Sequence, residues 1–268
     1  MIKRIVLSVF FTTWFAFSCS SLAQIASDNF ENNNPGPAYN DGIQYNDNGG
    51  FGFGALTYLE GSNGGVFNAN LDGARALGIF AGPGATDTQA LGRTITSPVT
   101  TGTFSLSTSF NVSSVTGFSG FDLKDGLGGT LGAGQLLFIG LNAGTNNSFA
   151  ITDATGTHQL TIGTTADLRF QNIDFSISFD TGLATYSLTA TVRSNGQSGT
   201  ISGSLIDTNG ATAGTGSFSA VGFGNFNSGP NQDFIIDNLQ ITAIPEPSTI
   251  ALIGLSGLIL AAVVKRRL

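Results

Sequence analysis

The 268-residue chain has little charge, one cysteine and one histidine. Asp, Glu, Lys and Arg make up 10% of it, whereas about 25% is usual for soluble domains. A single cysteine excludes a disulfide framework and a cysteine zinc site. A single histidine argues against histidine-based metal or acid–base chemistry. The formal net charge of −7 repels phosphate backbones, so nucleic acid is excluded as a partner.

Glycine and phenylalanine are abundant instead, with 38 and 22 residues. Apolar and polar residues alternate in residues 104–112, 173–179 and 186–192, which predicts strands with one buried face. The phenylalanines on those faces are expected to fill the core. Asn195-Gly196 predicts a tight turn between two strands. Further strands are predicted at residues 52–59, 74–81, 118–123, 136–141, 148–153, 157–162, 200–206 and 217–226.

A last strand is predicted around residues 234–239, where both alternating sets contain apolar groups. Phe234, Ile236 and Asn238 form one set. Between residues 24 and 244 no convincing helical stripe occurs. We therefore predict an all-β fold, a single antiparallel β-sandwich over residues 24–244 of the jelly-roll type. A signal helix before it and a transmembrane helix after it are expected to flank this domain.

Residues 1–23 have the pattern of a secretory signal peptide. Basic residues precede an apolar run at 5–17, and small residues lie one and three positions before a cut ahead of Gln24. An uncleaved anchor and a lipoprotein attached at Cys19 are the alternatives. Cleavage before Gln24 leaves no cysteine, so the exported body must be held by its core and hydrogen bonds.

Residues 245–268 form a tail in three parts, namely a Pro-Glu-Pro motif, an apolar run and a basic cluster. The apolar run at 249–264 spans about 24 Å as a helix, which snorkelling basic side chains can fit to a bilayer. The basic cluster is expected to stay cytoplasmic and to act as a stop. A plain membrane anchor is the alternative. The motif is Pro245, Glu246 and Pro247, and the cluster is Lys265, Arg266 and Arg267.

In order and spacing, this tail resembles the PEP-CTERM sorting signal of Gram-negative bacteria. The resemblance implies an exosortase-type membrane protease as a partner, which recognises the Pro-Glu-Pro motif and removes the tail. It also implies transient anchoring in the inner membrane, followed by passage to the cell surface or the extracellular matrix. The resemblance concerns sorting and implies no biochemical activity.

The order of features in the body resembles concanavalin-like and laminin-G-like β-sandwiches. Asp28-Asn29-Phe30 opens the body, and residues 234–241 close it. The resemblance implies that the first and last strands pair. It also implies a structural calcium ion that joins these strands through Asp28 and Asp237.

A segment rich in Asn, Asp and Gly at residues 35–54 is predicted to be a long irregular loop. Its aromatic rings could stack on sugar rings, and its amide and carboxylate groups could bind sugar hydroxyls. Alternatively, the rings plug the edge of the sandwich and the polar clusters are ordinary turns. The candidate glycan-binding residues are Tyr39, Tyr45, Phe51, Asn46 and Asp47.

Catalysis finds little support in the sequence. His158 stands alone and is expected on the surface, because no Gly-x-Ser-x-Gly elbow supplies a nucleophile. The body has only two glutamates, Glu31 and Glu60, and nothing picks out a carboxylate pair. We therefore predict a non-catalytic surface or matrix protein that associates with extracellular polysaccharide. A structural matrix protein without a ligand and a carboxylate-dependent glycosidase are the alternatives.

Overall fold

The computed structural model describes residues 23–31, 49–62, 64–68, 71–80, 87–100, 102–112, 117–130, 132–142, 146–164, 167–206, 217–228 and 233–244. In these residues the chain forms fifteen strands and no helix, and none of this part could cross a membrane as a helix. The all-β prediction is confirmed for the body. The signal segment at 1–22 and the tail at 245–268 lie outside the described residues.

The strands are β1 Ala23–Asp28, β2 Thr57–Glu60, β3 Gly64–Asn68, β4 Arg75–Ile79, β5 Asp87–Val99, β6 Thr103–Val112, β7 Phe118–Lys124, β8 Gln135–Asn142, β9 Ser148–Asp153, β10 Gly156–Thr161, β11 Ile173–Asp180, β12 Thr185–Val192, β13 Ser198–Ser204, β14 Phe218–Ser228 and β15 Phe234–Ile244. They form two antiparallel sheets. One has the order β13-β12-β11-β6-β15-β4-β3, with β1 also paired to β15, and the other has the order β10-β9-β8-β7-β14-β5-β2.

The first and last strands pair, as the sequence resemblance implies. In this antiparallel ladder Ala23 lies opposite Ala243, and Asp28 lies opposite Leu239. Strand β15 also pairs with β6, where Ile244 lies opposite Thr103 and Phe234 opposite Val112. We call the end of the sandwich where β1 begins and β15 ends the exit end. The opposite end, where Phe234 and Val112 pair, is the far end.

Phenylalanine rings fill the space between the sheets, as the alternating pattern predicts. The ring of Phe110 lies 5.5 Å from that of Phe149 and 4.9 Å from that of Phe234, measured between centroids. Phe175 contacts Phe149 at 5.0 Å and Phe121 at 5.5 Å. Since Phe121 and Phe149 belong to one sheet and the other three to its partner, the edge-on contacts of Phe121 and Phe149 join the two layers.

Strand β15 departs from simple alternation because it contains a β-bulge. Asn238 has a φ of 49°, and the register with β6 shifts between Asp237 and Gln240. The extra residue shifts the alternation of inward- and outward-facing side chains by one position. Leu239 is therefore buried in the core like Ile236. The predicted set of Phe234, Ile236 and Asn238 on one face is therefore wrong at Asn238, which is exposed.

Candidate functional site

Most residues named for sugar contact and sorting lie where the structure gives no description. Tyr39, Tyr45, Asn46 and Asp47 are outside the described residues. The same holds for the Pro-Glu-Pro motif and for the basic cluster at 265–267. Their roles remain predictions. Phe51 is the candidate glycan-binding residue that the structure describes.

Phe51 is an exposed ring on a fixed backbone. Its side chain is 51% exposed, yet its N–H donates to the Ser27 carbonyl at 2.7 Å and its carbonyl accepts from the Ser27 N–H at 2.8 Å. Gly52 follows with a φ of 73°, and a Cβ there would lie 2.1 Å from the Ile25 carbonyl oxygen. Only glycine fits such an approach. Residues 49–54 are thus bound to β1, and the predicted irregular loop is ordered in this part.

The nearby ring of Phe53 differs from that of Phe51 in its exposure. It is buried at the sandwich edge, and an isolated bridge joins it to Ile95 of β5. Edge plugging, which the sequence left open for the whole loop, is therefore correct for Phe53 and wrong for Phe51.

A groove runs beside Phe51 at the exit end. Its volume is about 400 Å³. It combines one exposed aromatic ring with amide and hydroxyl groups and has no charged side chain in its lining. We call it the Phe51 groove. It is lined by Gln24, Ile25, Phe51, Ser97, Pro98, Val99, Thr100 and Phe104.

A buried arginine holds the Phe51 segment from beneath. Arg93 of β5 is fully buried, and its Nη1 donates to Asp28 Oδ2 in an ion pair. Its Nη2 donates to the Gly49 carbonyl at 2.8 Å, and its Nε donates to the Gly54 carbonyl at 2.8 Å. The guanidinium also lies 5.0 Å from the centroid of the Phe53 ring. One planar cation therefore fixes both ends of the segment that presents Phe51.

The residues predicted to hold calcium have other partners. Asp28 Oδ2 accepts from Arg93 Nη1 in an ion pair, and Asp28 Oδ1 accepts from the Phe30 N–H at 2.8 Å. Burial raises the pKa of Asp237 to about 7, opposed by the Asn238 N–H and reinforced by the charge of Asp72. Calcium prefers several ionised or carbonyl oxygens. Both oxygens of Asp28 already accept from protein donors, so the predicted pair does not offer the several oxygens that the ion needs. Within the described ranges no group of three or more acidic, histidine or cysteine side chains could hold a metal.

A second polar feature lies on the outer face of the seven-stranded sheet, beneath the β7–β8 loop. Lys124 Nζ donates to Asp122 Oδ2 at 3.3 Å and to the Thr130 carbonyl at 3.2 Å. Both side chains are fully buried. Asp122 Oδ1 finds no hydrogen-bond partner of good geometry among the described residues. Burial raises the pKa of Asp122 to about 7, against the opposing charge of Lys124.

The sequence reasoning missed this pair. Asp122 and Lys124 alternate with Phe121 and Leu123, a pattern that indicates a solvated outer face. The loop at 125–134 covers that face, which periodicity cannot reveal.

His158 lies in a structural cluster at the edge of the sandwich. Its Nε2 is 2.8 Å from Thr155 Oγ1 and 3.3 Å from Asp153 Oδ1, and its side chain is 41% exposed. Asp153 is buried and accepts from the Tyr186 hydroxyl of the other sheet at 2.9 Å. The Ala154 N–H also donates to the Ser204 carbonyl at 3.0 Å. The cluster thus ties the β9–β10 turn to the facing sheet.

Comparison with known proteins bears on the tail and on the body separately. No curated protein matches the chain in sequence. Lectin II from Ulex europaeus is 12% identical with a TM-score of 0.47, covering 71% of this chain and 93% of that one. The Lotus tetragonolobus seed lectin is 15% identical with a TM-score of 0.48, covering 76% and 98%. A legume lectin-like domain from Entamoeba histolytica is 12% identical with a TM-score of 0.48, covering 71% and 90%.

The tail is matched by a family model. Residues 243–267 match the PEP-CTERM protein-sorting motif, which confirms the resemblance drawn from the Pro-Glu-Pro motif, the apolar run and the basic cluster. The motif implies that the protein is secreted and processed by an exosortase. The chain therefore carries a PEP-CTERM sorting motif that begins in the last two residues of the final strand of an antiparallel β-sandwich.

Proposed function

We propose that this chain is an exported, non-catalytic module that associates with extracellular polysaccharide once its sorting tail has been removed. The sorting motif at 243–267 supports delivery to the cell surface or matrix. The described residues of the body form a pair of antiparallel sheets. The body has five Lys and Arg residues against sixteen Asp and Glu residues. This composition is compatible with a neutral polysaccharide, because binding a neutral polymer requires no cationic side chains.

The observation that carries this proposal is the geometry of Phe51. When a half-exposed phenylalanine on a loop binds a ligand, the loop usually becomes ordered, which costs free energy. Here two backbone hydrogen bonds to Ser27 and the Arg93 contacts have already fixed the segment. The ring can stack on a sugar face, while Gln24, Ser97 and Thr100 of the Phe51 groove offer partners for hydroxyl groups.

The test compares two exposed phenylalanines in the purified body, residues 24–244. Phe51→Ala removes the ring at the groove. Phe170→Ala removes a ring that is 68% exposed at the far end, where its N–H donates to the Val112 carbonyl. Loss of aromatic stacking is worth about 1 kcal/mol, or roughly five-fold in affinity. Binding to the host's own extracellular polysaccharide is measured by calorimetry.

The proposal predicts that Phe51→Ala weakens saturable binding and that Phe170→Ala does not. Equal affinity in both variants would place the sugar elsewhere. Absence of any binding by the wild-type body would favour a structural matrix protein. Release of sugars that a single Asp or Glu substitution abolishes would establish a glycosidase instead.

A further inference from the structure

Both routes from the body to the membrane leave from the exit end. Strand β15 ends at Ile244, immediately before the Pro-Glu-Pro motif, and Ala23 lies opposite Ala243 on the neighbouring strand β1. Adjacent strands are about 4.8 Å apart. The signal segment and the tail therefore join the sandwich at almost the same place.

The tether between the sandwich and the predicted membrane span is short. Only residues 245–248 separate Ile244 from the apolar run that begins at 249. A fully extended chain from Ile244 to Thr249 reaches at most about 17 Å. The headgroup layer itself takes up roughly 5–8 Å of that distance. As long as the tail is intact, the exit end therefore stays within about 12 Å of the headgroup surface, whatever the conformation of the tether.

The exit end exposes apolar groups. Leu183, in the β11–β12 turn, is 70% exposed and its N–H donates to Asp180 Oδ1. Asp180 lies opposite Thr103 on β6, and Thr103 lies opposite Ile244 on β15, so the turn is about two strand spacings from the tether. The uncharged groove reaches the β1 side of the same end at Gln24, Thr100 and Phe104. Phe51 lies on its inner side, opposite Ser27 and about 13 Å along β1 from Ala23.

We propose that the outer surface of the inner membrane covers the Phe51 groove until the tail is removed, so that sorting uncovers the polysaccharide-binding surface. This inference rests on the proposed function, both for the membrane span and for the role of the groove. Its occupant is a lipid bilayer surface, selected by the length of the tether and by the position of Ile244.

The contact depends on the tether and ends with it. Two apolar side chains bury little area, and even a full myristoyl chain gives only marginal membrane affinity. A body with five cationic and sixteen anionic side chains gains nothing from anionic lipids. Cleavage therefore releases the sandwich and opens the groove in the same step.

The experiment places a fluorophore on the unprocessed full-length chain in lipid nanodiscs of phosphatidylethanolamine with some phosphatidylglycerol. Single cysteines are introduced as Phe51→Cys, Leu183→Cys or Phe170→Cys in a Cys19→Ser background. A nitroxide on the lipid headgroup quenches nearby labels. Position 170 is the control, because its neighbour Val112 lies about 30 Å from the exit end along β6, and about 17 Å beyond the level of Phe51.

We expect strong quenching at position 183, weaker quenching at position 51 and none at position 170. A protease site engineered in place of residues 245–248 then allows the tail to be removed, and quenching should be lost. A flexible linker of roughly 20 residues inserted after Ile244 should also abolish quenching, since it adds about 25 Å of reach while keeping the tail. Equal quenching at all three positions, or quenching that survives the linker, would overturn the proposal.

Sugar binding is measured in parallel on unlabelled chains in the same nanodiscs, all of which keep Phe51. Coverage by lipid predicts that the tethered chain does not bind polysaccharide and that cutting the tail or inserting the linker restores binding. Tethered chain that binds as well as released chain would overturn the coverage. Released chain that fails to bind would contradict the proposed function alone, because the quenching pattern reports the membrane contact independently of any sugar.

Discussion

Two buried ion pairs on strands of the same sheet differ in how fully they are hydrogen-bonded. Arg93 of β5 serves the Asp28 carboxylate and the carbonyls of Gly49 and Gly54. Lys124 of β7 reaches Asp122 only at 3.3 Å, and the second oxygen of that carboxylate is poorly served. A planar guanidinium presents five N–H donors in a fixed fork, whereas an ammonium is a point charge with three rotatable donors.

The difference shows in what each pair positions. The Arg93 pair joins β1, β5 and residues 49–54, and so it fixes the exposed ring of Phe51. The Lys124 pair fastens a glycine-rich loop through a bond to the Thr130 carbonyl, and burial raises the pKa of Asp122 to about 7. The Arg93 pair thus positions a site, whereas the buried carboxyl of Asp122 becomes sensitive to pH.

Removing the cation from each pair should give the largest contrast. Arg93→Met strands the Asp28 carboxylate and two backbone carbonyls, so we expect a loss of about 3–5 kcal/mol in the free energy of unfolding. Lys124→Met should cost clearly less at pH 5, because Asp122 can take up a proton there. Urea denaturation of the 24–244 body measures both.

Arg169→Met is the matched control, since Arg169 pairs with Asp167 on the surface, where such pairs are worth about 0–1 kcal/mol. A smaller loss for Arg93→Met than for Lys124→Met would break the comparison between the two pairs.

The dependence of stability on pH should be the next largest effect. Asp122 has a folded pKa near 7 and a usual value of 3.8, so the folded chain keeps a proton that the unfolded chain has already lost. Ionising the buried group weakens the folded state, and stability should fall by a few kcal/mol between about pH 4 and pH 7. Urea midpoints across this range measure the fall.

A double variant, Asp122→Asn with Lys124→Met, should flatten much of this slope. Part of the slope should remain, because burial also raises the pKa of Asp237 to about 7. Asp167→Asn is the control at an exposed pair and should leave the slope unchanged. An unaltered slope in the double variant would show that Asp122 ionises normally in the folded chain.

Backbone geometry at Gly52 should give the smallest effect. A Cβ at this position would meet the Ile25 carbonyl oxygen at 2.1 Å, and its φ of 73° disfavours side chains. Gly52→Ala should therefore cost about 1–2 kcal/mol and weaken polysaccharide binding by displacing Phe51. Gly126→Ala, which meets nothing within 4 Å, should change neither quantity. Thermal melting measures the stability and calorimetry measures the binding. Equal values for the two variants would contradict the claim that close packing of residues 49–54 against β1 positions Phe51.

The strands that alternation predicts best are those with one face on the core. Strands β6, β11 and β12 bury every second residue, so hydrophobicity alone reveals them. Strand β5 was not predicted, because residues 89–93 are buried on both faces and include Arg93. The bulge at Asn238 was also missed, since a single residue with positive φ leaves no periodic signal.

The candidate site was predictable only in part. Aromatic rings among Asn, Asp and Gly drew attention to residues 35–54. The sequence could not distinguish the exposed Phe51 from the buried Phe53, because both occupy the same kind of context. The role of Arg93 depends on contacts with Asp28 and Gly49, which lie far from it in sequence. Such contacts exist only once the two sheets have packed.

Association of this sandwich with polysaccharide is tested by titrating the wild-type 24–244 body with the host's extracellular polysaccharide, in calcium and in EDTA. We expect saturable binding that is the same in both buffers, because Asp28 and Asp237 do not fit a calcium ion. No binding in either buffer would contradict the claim that this sandwich is a polysaccharide-associated module. Binding that EDTA abolishes would contradict the account of Asp28 and Asp237.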